Sequence, residues 1–504
     1  MNLRPAIVCS CGLAVALSVA MPVIDDSPTR VQTTLDPGLE LVGVLRPKAA
    51  DEISTSRWTV DCAGTDREHA DWRAIREYVA PLGISRVRVQ AGWARCEKDP
   101  GRYDFAWLDQ IVFDARRRGL SVWMELSYGN PAYPGGGGRQ LGAGFPQSPE
   151  GLAAWFRWVE KITERYADVV RDWCVWNEPD LKHGGQTNFV TFAADFAIRT
   201  AEIVRRVVPA AKIDAFALSR ARPEWVGPFV DELVRRDKVA LFDTIAYHNY
   251  SRNPDDPERY VGIEACRRIL DERAPGLRLK QGENGTQSEW CGAGALAREA
   301  WTEFRQAKYL LRRTMGDFGI GDDTSVFHFC DLDYRTSGFH DGLLRYGLVK
   351  TTGQADGFRV LKVKIAYYAV QNAVSVFNDA CRALGPQSES RVDGLRLPRV
   401  VDWRDVKTSL PLVVFWEGAD RPTDGTDVRN VTVTLRTKPL AAPVWCDLVT
   451  GRVHAIPFAC VRATDGGTAY AVPAYDSPAF IADRSVLDLV EPWEVTWKRD
   501  HPKK

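Results

Sequence analysis

Between about residue 55 and residue 375 the chain alternates, eight times over, short runs rich in β-branched and aromatic residues with longer amphipathic stretches. The extended runs are SRWTVDC (56–62), SRVRVQAGW (85–93), SVWMELSYG (121–129), DWCVWNE (172–178), KIDAFALS (212–219), DTIAYHNY (243–250), RLKQGEN (278–284) and SVFHFCDL (325–332). Such alternation predicts β-α units around a parallel sheet, because parallel strands need crossover connections and helices provide them. Eight units in this length predict a closed (β/α)8 TIM barrel, since closure removes both sheet edges. An open doubly wound sheet is the competitor. It is disfavoured because no Gly-rich phosphate turn follows the first run, where a dinucleotide fold would carry one. Between the runs, SPEGLAAWFRWVEKITERYAD shows the helical logic. Leu152, Trp155, Val159 and Ile162 recur at helical spacing, and Ser148-Pro149-Glu150 supplies an N-cap and first turn.

Past residue 380 the pattern changes to short alternating strands punctuated by Gly, Pro and Asp, as in LPLVVFWEG and NVTVTLRT. The expected organisation is a barrel over 55–380 followed by an antiparallel β-sandwich over 381–504, with 21–54 leading into the barrel. Residues 1–20 read as a signal peptide: one arginine, an apolar run, then small Ser18 and Ala20 at the positions a signal peptidase inspects. An uncleaved membrane anchor is the alternative. The signal reading places the protein outside the cytoplasm, secreted or periplasmic. The 11 cysteines show no zinc spacing, and setting aside Cys9 and Cys11 leaves an odd nine, so some thiols are expected free. Basic and acidic residues balance at 66 each, which gives no field to favour nucleic acid or an acidic membrane. A small neutral substrate fits better.

Catalytic groups of such a barrel project from the C-terminal ends of its strands. Two carboxylates stand there: Glu178 in WCVWNEPD ends the fourth run, and Glu283 in QGENG ends the seventh. A lone glutamate at a strand end is more often a rim ion pair or a helix cap. Two facing each other across the mouth suit glycosidic bond cleavage, in which one acid protonates the leaving oxygen and one carboxylate attacks the anomeric carbon.

Trp176-Asn177-Glu178-Pro179 resembles the acid/base motif of clan A retaining glycoside hydrolases. The stretch GWARCEKDPGRYDFAWLDQIVFDARRRGLSVWMELSYGNPAYP resembles the second and third barrel units of glycoside hydrolase family 39 and related bacterial glycosidases. The resemblance covers about residues 55–375, while the C-terminal region matches only in architecture. It implies that Glu178 is the acid/base and Glu283 the nucleophile, that Asn177 bonds the sugar 2-hydroxyl, and that Arg88 holds the nucleophile ionised. It further implies that Tyr250 and His248 orient the nucleophile. Where clan members usually carry a tryptophan on strand eight, this chain reads Ser-Val-Phe-His-Phe-Cys, so Phe327, His328 or Phe329 is expected to stand in. Trp93, Tyr128, Asn130, Tyr133 and Trp290 are candidate sugar contacts because they fall at or just beyond strand ends. Trp123, mid-strand, is expected to pack in the core. Glu97 and Glu125 read as structural or rim acids, and the Gly-rich stretch NPAYPGGGGRQLGAGFP reads as a mobile rim.

The expected activity is hydrolysis of β-glycosidic bonds in oligo- or polysaccharides with retention of configuration. A carbohydrate-binding barrel without turnover and a transglycosylase using the same two acids are the alternatives. The strand ends show no His/Asp cluster with ligand spacing, so no metal or other cofactor is expected. The partner is carbohydrate, with no nucleic acid and no stable membrane partner once the signal is removed.

Overall fold

The computed structural model describes residues 23–491 except 28, 55–56, 184–186, 323 and 336–341. The expected signal peptide, residues 1–20, lies outside the described residues. No described helix is long and apolar enough to cross a membrane.

The first strand, β1 (Glu40–Leu45), belongs to the C-terminal region. The barrel follows as β2 (Trp58–Asp61), β3 (Arg86–Gln90), β4 (Ser121–Glu125), β5 (Asp172–Cys174), β6 (Lys212–Leu218), β7 (Thr244–Tyr247), β8 (Arg278–Gln281) and β9 (Ser325–His328). Each of the eight predicted runs contains one strand. They pair in parallel in chain order, and β9 returns to pair with β2. The seam between β8 and β9 is closed by side chains and by one backbone bond, from His328 N to the Asn284 carbonyl at 3.2 Å. Val326 N donates to Gln281 Oε1 at 2.6 Å, and Asn284 Nδ2 donates to the Val326 carbonyl at 2.6 Å. Inside, Trp123 fills the barrel against the small residues Cys174, Ala217 and Ala246 and against Val326, as its mid-strand position predicted.

Helix Pro149–Tyr166 forms where the periodicity placed it, and the Ser148 side chain accepts from Gly151 N at its start. Trp155, Trp158, Val159 and Ile162 are fully buried on its inner face, so the apolar stripe is what anchors it to the sheet.

The C-terminal region is a sandwich of an eight-stranded and a four-stranded antiparallel sheet. Phe415, Trp445, Tyr470 and Ile481 lie in the core between them. Segment 21–54 does more than lead into the barrel, because β1 pairs with strand Arg452–Ala455 of the larger sheet. An aromatic seam joins sandwich to barrel. Trp403 lies 5.4 Å from Phe318 and 4.9 Å from Phe377, and Phe377 lies 5.4 Å from Phe480. Beside it, buried Asp255 of the loop after β7 accepts from Arg312 Nε at 2.6 Å and from Trp416 Nε1 at 2.8 Å. The sandwich thereby fixes a loop at the barrel mouth.

Candidate active site

The predicted runs extend beyond the hydrogen-bonded strands at their C-terminal ends, and those overhangs hold the polar residues. Glu178 lies past β5, held by its N–H to the Ala217 carbonyl at 2.6 Å with φ at 48°, a left-handed conformation uncommon outside glycine and asparagine. Non-glycine residues in that region concentrate at functional sites. Glu283 lies two residues past β8. One oxygen of each, with a His248 ring nitrogen, falls within a 4.8 Å cluster. His248 Nδ1 is 2.8 Å from Glu178 Oε1 and 3.9 Å from Glu283 Oε1. Among the described residues, these three side chains are the group whose donor atoms lie close enough to hold a cation.

Arg88 organises the floor. It is fully buried on β3, and Nη1 donates to Asp61 Oδ1 at 3.0 Å and to Glu283 Oε2 at 2.6 Å. Its Nη2 donates to Glu125 Oε2 at 2.7 Å and Asn177 Oδ1 at 2.8 Å. Only a planar fork spreads one charge over four acceptors in this way. Glu125 is held from its other side by Gln90 Nε2 at 2.7 Å, and Asn177 Nδ2 donates to the Tyr128 hydroxyl at 2.6 Å.

The environments of the two glutamates push them apart. Burial raises the Glu178 carboxyl above its usual range, and the nearby Glu283 charge adds to the rise against the pull of His248. Burial works on Glu283 in the same direction, but His248, Arg88, His328 and the Tyr250 hydroxyl outweigh it and hold that carboxyl well below the usual range. One group is thus favoured as an acid and the other as an anion, which is the division of labour that acid-assisted nucleophilic attack needs.

Both glutamates line a cavity of about 340 Å3 at the barrel mouth, with Tyr250 and His328. His328 takes the strand-eight place left open by the missing tryptophan. It stacks on Tyr346 with centroids 4.9 Å apart, whereas Phe327 and Phe329 are wholly buried. Its Nδ1 is 2.9 Å from Asp61 Oδ2, an ion-pair distance without the alignment of a hydrogen bond.

All five expected sugar contacts lie elsewhere than on the cavity wall. Trp93 begins a short helix, Trp93–Cys96, because β3 ends at Gln90; it is fully buried between Tyr133 and Trp158. Asn130 is buried and donates from Nδ2 to the Glu97 carbonyl at 2.7 Å, so it shapes the loop after β4. Trp290 is 68% exposed on the loop after β8, where the smaller Gly294 and Ala295 line the cavity instead. Tyr128 is buried beneath Asn177, a support and not a cavity wall. Tyr133 is buried too, donating to Glu97, whose other oxygen accepts from Trp93 Nε1 at 2.6 Å; Glu97 is structural, as read. The Gly-rich rim is laced down: Gly129 N donates to the Gly138 carbonyl at 3.0 Å and Asn130 N to that of Gly136 at 2.9 Å. A Cβ on Gly136 would come within 2.3 Å of the Asn130 carbonyl, so these glycines allow backbone to pack on backbone.

The sequence reading missed Asp61, Arg67, Arg220, Tyr334 and Tyr346. Asp61 ends the first strand as Glu283 ends the seventh run, a signal of the same kind. The others sit on loops, where no periodicity marks them.

No family model matches the sequence, and no curated protein matches it. Among solved structures, a family 39 glycoside hydrolase from the gut symbiont Bacteroides cellulosilyticus WH2 superposes with a TM-score of 0.60 at 17% identity, over 87% of this chain and 83% of that one. A monomeric β-xylosidase from Caulobacter crescentus CB15 gives 0.54 at 14% identity, over 88% and 97%. A family 30 endoxylanase from Clostridium papyrosolvens C71 gives 0.52 at 10% identity, over 88% and 99%. The chain therefore has the fold of solved glycoside hydrolases of families 39 and 30.

Proposed function

We propose that the protein is a retaining glycoside hydrolase that cleaves β-glycosidic bonds of oligo- or polysaccharides by double displacement. The observation that carries this reading is the pair Glu178 and Glu283: oxygens within 4.8 Å across the cavity, with one carboxyl raised and the other held down. Retaining enzymes hold their carboxyl groups about 5 to 5.5 Å apart, while inverting enzymes need roughly 6.5 to 9.5 Å to admit a water.

In the first step Glu283 attacks the anomeric carbon and Glu178 gives its proton to the departing oxygen. A water then enters, Glu178 takes its proton, and the hydroxide displaces Glu283. Arg88 and Tyr250 stabilise the carboxylate that leaves in this second step. Asn177 is fixed by Arg88 and Tyr128, and its second amide hydrogen makes no bond among the described residues, which suits a bond to the sugar 2-hydroxyl. The structural neighbours named for xylosidase and endoxylanase activity make β-xylosides the first substrates to try.

The test is the purified protein beside Glu283→Gln on aryl β-glycosides and β-linked oligosaccharides, with the anomer formed first read by proton NMR. Retained configuration that the substitution abolishes supports the reading. Inverted product, or equal activity of the variant, overturns it.

A further inference from the structure

A second cavity of about 330 Å3 lies beside the reaction centre, between the loops after β6 and β7. Arg220, Arg222 and Tyr250 line both cavities, so the two meet along that edge. Tyr250 therefore faces the nucleophile with its hydroxyl and forms part of the wall leading away from it.

The walls of this second cavity are fixed in advance by residues that take no part in the chemistry. Buried Asp180 accepts from Ser219 N at 2.9 Å, Ser219 Oγ at 2.6 Å and Arg222 Nε at 3.0 Å, which pins the loop after β6. Asp255 pins the loop after β7 through Arg312 and Trp416. Asn249 ties the loops together: in the left-handed conformation, with φ at 54°, it accepts from Ala221 N at 2.8 Å and donates to the Arg259 carbonyl at 3.2 Å. Holding a groove open in this way lowers the ordering cost of filling it.

The lining states the chemistry of the occupant. Arg220, Arg222 and Arg259 face Glu224, Asp256 and Glu258, three cations against three anions, so neither an acidic nor a basic ligand gains from the net field. Donors and acceptors are both present instead, which suits an uncharged polyhydroxyl ligand. Arg220 is exposed at the shared edge and makes no ion pair or hydrogen bond among the described residues, which leaves its guanidinium free for hydroxyl oxygens.

We propose that this cavity binds the continuation of an uncharged saccharide chain whose scissile bond lies between Glu178 and Glu283, so that the protein selects oligosaccharides over short glycosides. The proposal rests on the glycosidase reading. Its test is a series of β-1,4-linked xylo-oligosaccharides of two to six units and an aryl β-xyloside, with the full-length protein, Arg220→Ala and Glu224→Ala. Both side chains are surface-exposed, which favours folded variants.

The expected result is kcat/KM at least tenfold higher for the longer chains than for the disaccharide. In the variants this ratio falls severalfold, chiefly through KM. Turnover with no dependence on chain length, or a ratio unchanged in both variants, overturns the proposal and leaves the glycosidase reading standing. If nothing is turned over, the glycosidase reading fails, and calorimetry with the hexasaccharide decides the cavity. Saturable binding weakened by Arg220→Ala supports it; no binding, or binding that Arg220→Ala leaves unchanged, overturns it.

Discussion

The Tyr250 hydroxyl lies 2.8 Å from His328 Nε2 and 2.8 Å from Glu283 Oε1, placing it between the strand-eight histidine and the proposed nucleophile. A phenol has one proton. Both contacts are satisfied together when Tyr250 donates to Glu283 and His328 donates from Nε2, with Asp61 facing the other ring nitrogen. Where the resemblance leads one to expect a tryptophan, this chain has a ring that also reaches Glu283 through Tyr250.

His328→Phe keeps a flat ring but removes that donor and its contribution to holding Glu283 ionised. The Glu283 carboxyl should rise, so the acid limb of kcat/KM should move to higher pH. A fall in kcat of about tenfold is expected, the size of one lost hydrogen bond of roughly 1.4 kcal/mol. His328→Gln should restore part of the rate. A profile whose acid limb stays in place would reduce His328 to a packing residue.

Changing Glu178 to Gln removes the proposed proton donor but preserves shape. Loss on natural linkages should reach about 10²–10⁴-fold, the usual worth of general acid catalysis. Aryl glycosides with acidic leaving groups need little protonation, so their first step should be largely spared. Steady-state rates on both classes of substrate check this; equal losses would remove Glu178 from the acid role.

How much of this was legible beforehand follows from which residues obey a pattern. The eight barrel strands were readable because short extended runs alternate with longer amphipathic helical stretches, even where, as in Arg278–Gln281, the run itself is polar. Glu178 and Glu283 were readable because each breaks such a run at its end. Trp93 misled because a run of extended residues shows no register: β3 stops at Gln90, and Gly92, at φ 56°, turns the chain so that Trp93 enters the core. Trp290 and Asn130 misled for a related reason, since lying just past a strand end does not say which way a loop turns. Tyr334 and Tyr346 come to the cavity from an excursion after β9, and only tertiary structure brings them there.

The rate should depend on pH as a bell, and the signs follow from the two carboxyls. Glu283 must be ionised, and its lowered value puts the acid limb below the range of an ordinary carboxylate. Glu178 must be protonated, and its raised value puts the alkaline limb above that range. The plateau between them should be wide. In Glu178→Gln, with an activated aryl glycoside, the alkaline limb of the first step should disappear while the acid limb stays. Single-turnover rates across pH read this directly, and an alkaline limb that persists would assign it to another group.

On the proposed mechanism Arg88 serves both stability and chemistry. Its guanidinium is fully buried and compensates Asp61, Glu125 and Glu283. In Arg88→Met the stem is replaced at similar volume while three carboxylates lose their common cation. Breaking a buried ion pair by removing one partner typically costs about 3–5 kcal/mol, because the remaining charge is left uncompensated. A urea melt should show a loss of that size at neutral pH. Arg88 is one of the groups that hold the Glu283 carboxyl down, so without it Glu283 takes up a proton more readily, and the deficit should shrink as pH falls and that carboxyl becomes neutral. Arg88→Lys keeps the charge but not the fork and cannot reach four acceptors at once. It should recover part of the stability and little of the activity, since Glu283 and Asn177 would no longer be held by one rigid group. Full recovery of both by lysine would mean that charge alone, and not the planar geometry, is what the site takes from Arg88.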